Sequence, residues 1–370
     1  MRIWHIYALI LIAGCAPRGA MVLMPEGIEA QETRAIYVGT TRSKVLISQS
    51  IATDPEMSAL ERGRSDDTRY LRVDVAIPPD RVAGELTIAQ SGKTPDPRKD
   101  FLAAHVEDYP SASALRADLA PALRAQGGEA VIFVHGFNTI FAEGLYRMAQ
   151  LGQDLELPGV LVHYAWPSAG QPLGYAYDRD SALFARDGLH DLIQELSRAG
   201  ATKIVLLGHS MGSQLVMETL RDLSSRDPNL LQNKIAGVAL MAPDIDVSLF
   251  RAQAHDIGDL PEPFMIFTSK RDPILRLSAR LSGEADRLGL ISDPERLADL
   301  RVTLVEVSAF SGSDPHFLLG SSPSLMALLR NGSIVNAALA SGQQGRAGLI
   351  PGVVLTVQNA TSIALSPITD

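Results

Sequence analysis

Lys203-Ile204-Val205-Leu206-Leu207-Gly208-His209-Ser210-Met211-Gly212 is the stretch that decides the fold. An apolar run of strand length ends in a serine flanked two residues away on each side by glycine, and a helical stretch follows. This is the pattern of a nucleophile elbow, a strand-to-helix turn so tight that the serine backbone is strained and only small residues fit beside it. Such a turn lifts the serine oxygen above a sheet and aims the next backbone N–H at the same point. With 30 glycines in 370 residues, the pentapeptide alone is only moderately specific, so its partners must be found along the chain.

The surrounding sequence alternates between two textures. Short runs rich in Val, Ile and Leu lie at 130–135, 160–165, 203–208, 235–241, 264–268 and 301–307. Helical stretches at 139–154, 178–199, 211–224, 247–255 and 315–330 fill most gaps. Continuous apolar runs read as strands covered on both faces. Their alternation with helices predicts a mostly parallel sheet with helices on both sides, the α/β-hydrolase class. Upstream, 34–39 and 70–77 read as strands, the second stopped by Pro78-Pro79, and 111–125 as a helix closed by Gly127-Gly128. These form an N-terminal β extension, 33–128, of a hydrolase domain spanning 33–330. Residues 331–370, rich in Gly, Ser and Ala around the apolar run Leu349–Val357, read as a C-terminal tail with one added strand.

Composition narrows the function. The chain is 46% apolar and 20% charged, as globular proteins are. Its net charge is −9 without a Lys/Arg cluster, which argues against a nucleic-acid surface. At the N-terminus, Arg2 precedes the mostly apolar Ile3–Ile12 and then Ala13-Gly14-Cys15, the layout of a secretory signal. As a helix the apolar part spans only about 15 Å, too short to cross a membrane. Cys15 is the sole cysteine, so no disulfide can form within the chain. Ile12-Ala13-Gly14-Cys15 resembles the bacterial lipobox, which implies a signal peptide over 1–14, lipidation of Cys15 and a linker over 15–32. Ala16, where an Asp would direct otherwise, points by the same resemblance to the periplasmic face of the outer membrane.

The elbow's partners can be sought in chain order. The strand ending in His135-Gly136-Phe137-Asn138 precedes a loop that supplies one oxyanion-hole N–H in this fold, and the residue after the nucleophile supplies the other. Gly136 lets the backbone come close, so the expected donors are the N–H groups of Phe137 and Met211. His135 reads as a structural hydrogen-bonder. The order Ser…Asp/Glu…His leaves three histidines near or after Ser210. His209 lies inside the elbow with its side chain facing away from the serine oxygen, and His255 ends a helix before the next strand. His316 follows the last strand by a loop and is the expected base, although Asp314-Pro315 also reads as a helix cap that would put it in a first turn. The acid is Asp272, after 264–268, or one of the rivals Asp246 and Asp244, after 235–241. Asp272-Pro273 is itself a good helix N-cap, and the two roles can coexist. Trp166, Asn138 and His209 are placed along the pocket, and Tyr177–Ser181 reads as structural. Residues 43–68 or 274–300 could form a modest cover. With neither a metal-ligand spacing nor a phosphate-binding glycine loop, no metal and no cofactor are expected.

Six ordered motifs carry a family resemblance: Tyr37-Val38-Gly39-Thr40-Thr41-Arg42, His135-Gly136-Phe137-Asn138, Trp166-Pro167-Ser168, Tyr177-Asp178-Arg179-Asp180-Ser181, the elbow, and Ala242-Pro243-Asp244-Ile245-Asp246. Over residues 33–330 the chain resembles the bacterial α/β-hydrolase family of unknown function, DUF900, of the esterase/lipase superfamily. The resemblance implies that fold, places Ser210, Asp272 and His316 at the triad positions, and agrees with a lipoprotein signal, which similar proteins often carry. The expected activity is cleavage of a carboxylic ester, from a small molecule or a lipid, through an acyl-enzyme. An amidase, thioesterase or phospholipase would use the same triad, and a noncatalytic cell-envelope binding protein would keep only the fold.

Overall fold

The computed structural model describes residues 19–43, 62–90, 93–283, 286–330 and 352–367. Cys15, the apolar segment before it and most of the 43–68 stretch lie outside the described residues. Eleven strands form one sheet: β1 (Thr33–Arg42), β2 (Arg64–Ala76), β3 (Leu102–Tyr109), β4 (Glu129–Val134), β5 (Val160–Ala165), β6 (Lys203–His209), β7 (Ile235–Met241), β8 (Phe264–Thr268), β9 (Thr303–Glu306), β10 (Gly352–Val357) and β11 (Ala360–Leu365). The helices are α1 (Ala112–Ala125), α2 (Phe141–Asp154), α3 (Tyr175–Phe184), α4 (Arg186–Ala199), α5 (Met211–Arg226), α6 (Pro228–Lys234), α7 (Val247–Ile257), α8 (Pro273–Leu281), α9 (Leu318–Ser321) and α10 (Pro323–Arg330).

The sheet runs in the order β10-β11-β9-β8-β7-β6-β4-β5-β1-β2-β3. From β1 through β11 neighbouring strands are parallel, and antiparallel pairs occur only at the margins, in β1–β2–β3 and β10–β11. The two-residue period of the central strands explains the layering. Ile132, Val134, Val162, Leu206 and Leu240 point into one core, roofed by α1, α4, α5, α6 and α7. Val131, Phe133, Leu161, Ala239 and Phe267 point into the other, under α2 and α10. Each fully buried Val, Leu, Ile or Phe contributes about 1.5–3 kcal/mol of transfer free energy, so both faces must be covered.

The strand order reverses around β4. From β4 the chain moves outward to β5, returns over β4 to β6, and then proceeds through β7, β8 and β9. The loops after β4 and β6 therefore diverge, and their separation opens a crevice at the carboxyl ends of these strands, where open α/β sheets bind ligands.

Four features differ from the sequence reading. The segment read as a linker is built into the fold from Gly19 onward: Met21 and Val22 are buried and Leu23 bridges to Ala103, as its apolar composition requires. Beyond residue 331 the chain contributes two strands rather than one. They form a hairpin in which β11 pairs with β9, because the short polar turn before Ala360 returns the chain to the sheet margin. The single helix expected over 178–199 is two, α3 and α4, meeting at Ala185, whose carbonyl accepts a 2.6 Å hydrogen bond from the Tyr164 hydroxyl. The helix expected over 315–330 is likewise divided before Pro323, which cannot donate a helical hydrogen bond.

Candidate active site

Ser210 is the N-cap of α5 and sits at φ 52°, ψ −120°, a conformation that L-residues rarely adopt. The surroundings hold it there. Its N–H donates to the Met241 carbonyl at 2.9 Å, and its carbonyl accepts from Asp244 N–H at 3.2 Å. The elbow glycines have a packing cause. A Cβ on Gly212 would lie 2.3 Å from the His135 carbonyl oxygen and 2.4 Å from that of Val134, and one on Gly208 would lie 2.9 Å from the Ser213 Cα. The start of α5 thus rests directly on the backbone at the end of β4. Gly136 plays the same part on the opposite loop, where a Cβ would meet His209 Nδ1 at 2.8 Å and Ser210 Cβ at 2.9 Å.

The structure brings Asp272 and His316 together. One carboxylate oxygen of Asp272 lies 2.7 Å from His316 Nδ1. The other accepts from Ile274 and Leu275 N–H at 2.9 and 3.0 Å, capping α8. Asp272 thus caps α8 with one oxygen and meets His316 with the other. His316 is held on its own main chain by Asp314, which accepts from the His316 and Phe317 N–H groups at 3.0 and 3.2 Å. The capping alternative for Asp314-Pro315 is therefore also present, and it is what presents His316. The rivals face elsewhere. Asp246 caps α7 through Ser248 and Leu249 N–H, and Asp244 is buried among Ser278, Tyr175 and Arg287.

Beside the elbow opens a cleft of about 350 Å³, whose walls include Gly136, Phe137, Asn138, His209, His316 and Phe317. Leu86 and Ile88, from the N-terminal extension, and Phe133 make its apolar side. Neither the Phe137 nor the Met211 N–H has an acceptor among the described residues. Asn138 and His209 are in the wall as expected. The His209 ring packs 4.8 Å from that of His316 and edge-on to Phe317, with Nε2 donating to the His316 carbonyl at 3.4 Å. Burial, then the nearby His316, pushes the His209 pKa well below its ordinary value.

Trp166 does not line the cleft. It is fully buried one layer beneath, stacked 4.7 Å from His135, and its Nε1 donates to the His135 carbonyl at 2.7 Å. Its large apolar ring fills the space under the loop instead of meeting a ligand. His135 is structural as read, with ring nitrogens 2.9 and 3.1 Å from the Gly136 and Trp166 carbonyl oxygens. Burial, then His163, holds its pKa far below the usual range.

Two of the quoted motifs, the one ending in Arg42 and the one read as structural around Asp178, support the loop that carries Phe137. Asp178 accepts from Asn138 N–H at 2.9 Å, from the Ser168 hydroxyl at 2.6 Å and from Ala169 N–H at 2.6 Å. Burial pushes its carboxyl pKa up, against these hydrogen bonds and the Arg42 charge, which pull it down. Arg42, buried at the end of β1, donates to the Ser168 and Thr139 carbonyls at 3.1 and 3.0 Å. A buried Arg and a buried Asp together fix 138–139 and 168–169, which are distant in sequence. Arg147, also in the cleft wall and held against the Phe317 ring, carries no signal in the sequence, where it is a single cation among the apolar Leu145, Tyr146, Met148 and Ala149 of α2. The 274–300 insert supplies most of α8 and two short 3₁₀ turns, and none of its residues is in the cleft wall.

No curated protein matches this sequence. Among solved structures it resembles a candidate hydrolase from Agrobacterium vitis S4, with 15% identity and a TM-score of 0.36 over 83% of this chain and 98% of that one. It also resembles a candidate cell-surface hydrolase from Lactobacillus plantarum WCFS1, with 14% identity and a TM-score of 0.35 over 57% and 92%. A lipase-esterase related protein from Clostridium acetobutylicum ATCC 824 aligns with 16% identity and a TM-score of 0.23 over 48% and 73%. Residues 111–331, more than half of the chain, match the family described as alpha/beta hydrolase of unknown function (DUF900), and the protein belongs to that family.

Proposed function

We propose that this protein is a serine hydrolase that cleaves carboxylic esters through an acyl-enzyme. The observation that carries the reading is the 2.7 Å Asp272–His316 pair beside an elbow serine whose neighbouring N–H groups, at Phe137 and Met211, lack acceptors among the described residues. In this reading His316 Nε2 takes the Ser210 proton as the oxygen attacks the acyl carbonyl. Asp272, on Nδ1, fixes the tautomer and stabilises the imidazolium. The two N–H groups receive the oxyanion, and Arg42 and Asp178 keep the loop bearing one of them rigid. Water then repeats the attack on the acyl-enzyme, with His316 again as base. The apolar side of Leu86, Ile88 and Phe133 offers room for an acyl group, beside a polar side that carries Glu143, Arg147 and Asp314. Amide, thioester or phospholipid substrates would use the same groups.

A fluorophosphonate probe tests the reading. Wild type should be labelled and Ser210→Ala should not. Equal labelling of the two, or none of wild type, would remove the hydrolase assignment. We further propose that Cys15 carries the lipid that the lipobox-like sequence implies, holding the protein at the cell envelope.

A further inference from the structure

Helix α8 begins at the Asp272 cap and presents two unlike faces. Leu275, Ser278 and Ala279 are buried, and Ser278 Oγ donates to the Asp244 carboxylate at 2.6 Å, so the helix is firmly docked. On its other face Ile274, Leu277 and Leu281 are 44%, 51% and 66% exposed. Their spacing of three and four residues puts them in one stripe. Four exposed cations, Lys270, Arg271, Arg276 and Arg280, accompany the stripe, and α8 itself contains no acidic residue. None of the four makes an ion pair among the described residues. Beyond the helix lies a polar depression of about 190 Å³, lined by Arg179, Gln214, Asp244, Asp246 and Arg287 besides Tyr175, Ser282 and Leu249. Two further exposed apolar side chains stand near it, Leu249 in its wall at 37% and Leu173, 97% exposed, two residues before Tyr175.

Isolated apolar side chains on a surface need no explanation, but a continuous stripe beside unpaired cations does. In a chain of net charge −9, this local reversal of sign selects an anionic partner. Apolar side chains on one side with Arg and Lys heads around them are what a helix lying in a bilayer interface requires. Among the described residues no helix is long and apolar enough to cross a membrane, so the contact would be parallel to the surface. We infer that the exposed face of α8, with Leu249 and Leu173, docks on the surface of an anionic phospholipid bilayer and turns the carboxyl edge of the sheet toward it. The inference does not depend on the reaction proposed above.

Vesicle binding tests it without turnover. The full chain carrying Cys15→Ser removes both lipidation and the native thiol, and Leu277→Cys or Asn233→Cys then carries an environment-sensitive fluorophore. Asn233 is at the end of α6, at the amino edge of the sheet. With phosphatidylglycerol/phosphatidylcholine vesicles, emission from position 277 should shift to the blue and that from 233 should not. Leu277→Ser/Leu281→Ser should lower partitioning about tenfold or more, with thermal unfolding unchanged because both side chains are exposed. Added salt or pure phosphatidylcholine should weaken binding. Equal shifts at 233 and 277, equal partitioning of the double variant, or equal binding to neutral vesicles would overturn the inference. So would a lipid-free dimer that the double variant abolishes, since that would assign the face to a second copy of the chain.

Discussion

Asp272→Asn is the most informative single change, because the two oxygens of this carboxylate have separate duties. One accepts two N–H groups at the start of α8, and the other faces His316 Nδ1. An asparagine can satisfy the cap only by keeping its carbonyl oxygen there, which turns its NH₂ toward His316. The flipped amide would face two N–H donors with its own and lose a cap worth about 1 kcal/mol. The cap therefore selects the orientation that forces Nδ1 to accept. The proton then resides on Nε2, where it blocks general-base action toward Ser210. The corresponding change in a Ser-His-Asp triad costs about 10⁴ in turnover, about 5.4 kcal/mol at about 1.36 kcal/mol per decade. Stability should fall by less than about 1 kcal/mol, since Asn caps nearly as well as Asp and only the carboxylate's interaction with the helix dipole is lost. The assay pairs p-nitrophenyl acetate hydrolysis with thermal unfolding, and Asp246→Asn serves as the comparison. That variant should keep near-wild-type turnover, because its carboxylate only caps α7. A larger loss in Asp246→Asn, or retention of more than about a tenth of the activity in Asp272→Asn, would refute the assignment of the acid.

Other outcomes follow from the same geometry. Gly212→Ala should destabilise by about 2 kcal/mol or more, as its Cβ would collide with the carbonyls of Val134 and His135 and push α5 off the sheet; urea midpoints measure this, and an unchanged midpoint would contradict the packing argument. The fold should weaken in mild acid. His135, His163 and His209 are kept neutral chiefly by burial, His163 down to about 3, whereas unfolded histidines protonate near about 6.5. The stability they supply is complete above that value and is lost as pH falls below it, at up to about 1.4 kcal/mol per pH unit per residue. Asp178, with its raised pKa, works in the opposite direction but is one group against three. Urea titrations at pH 7.5, 6 and 5 should therefore give falling midpoints, and constant ones would show that these rings are not desolvated. Cys15→Ser should move the protein from the membrane fraction to the soluble fraction of the expressing cell, and unchanged fractionation would exclude lipidation as the anchor.

Much of this protein is written in local sequence. The strand runs and intervening helices were legible because burial on both faces leaves uninterrupted Val, Ile and Leu, and because a parallel crossover needs a helix between strands. The elbow was legible because its Gly-x-Ser-x-Gly pattern is contained within five residues, although the carbonyls that exclude a side chain at Gly212 come from Val134 and His135, far away in the chain. His316 was reachable through chain order alone. What stayed open depends on where distant segments meet. Asp244, Asp246 and Asp272 all sit just past strand ends, and only the stacking of β8 against β9 brings the last of them to His316. The roles of Arg42 and Asp178 emerge only when β1 lies beside β5 and α3 folds back over the loop after β4. Trp166 misled for the same reason: being next to a strand end does not reveal which side of the loop a ring will fill. The break at Ala185 comes from a tyrosine hydroxyl 21 residues away, and no local signal announces it. Sequence alone determined the fold class and singled out Ser210 and His316 as the candidates for nucleophile and base, because periodicity, tight turns and chain order can be read along the chain. The tertiary structure decided which carboxylate faces the histidine and which side chains brace the loop, because those depend on through-space contacts that a linear pattern does not encode.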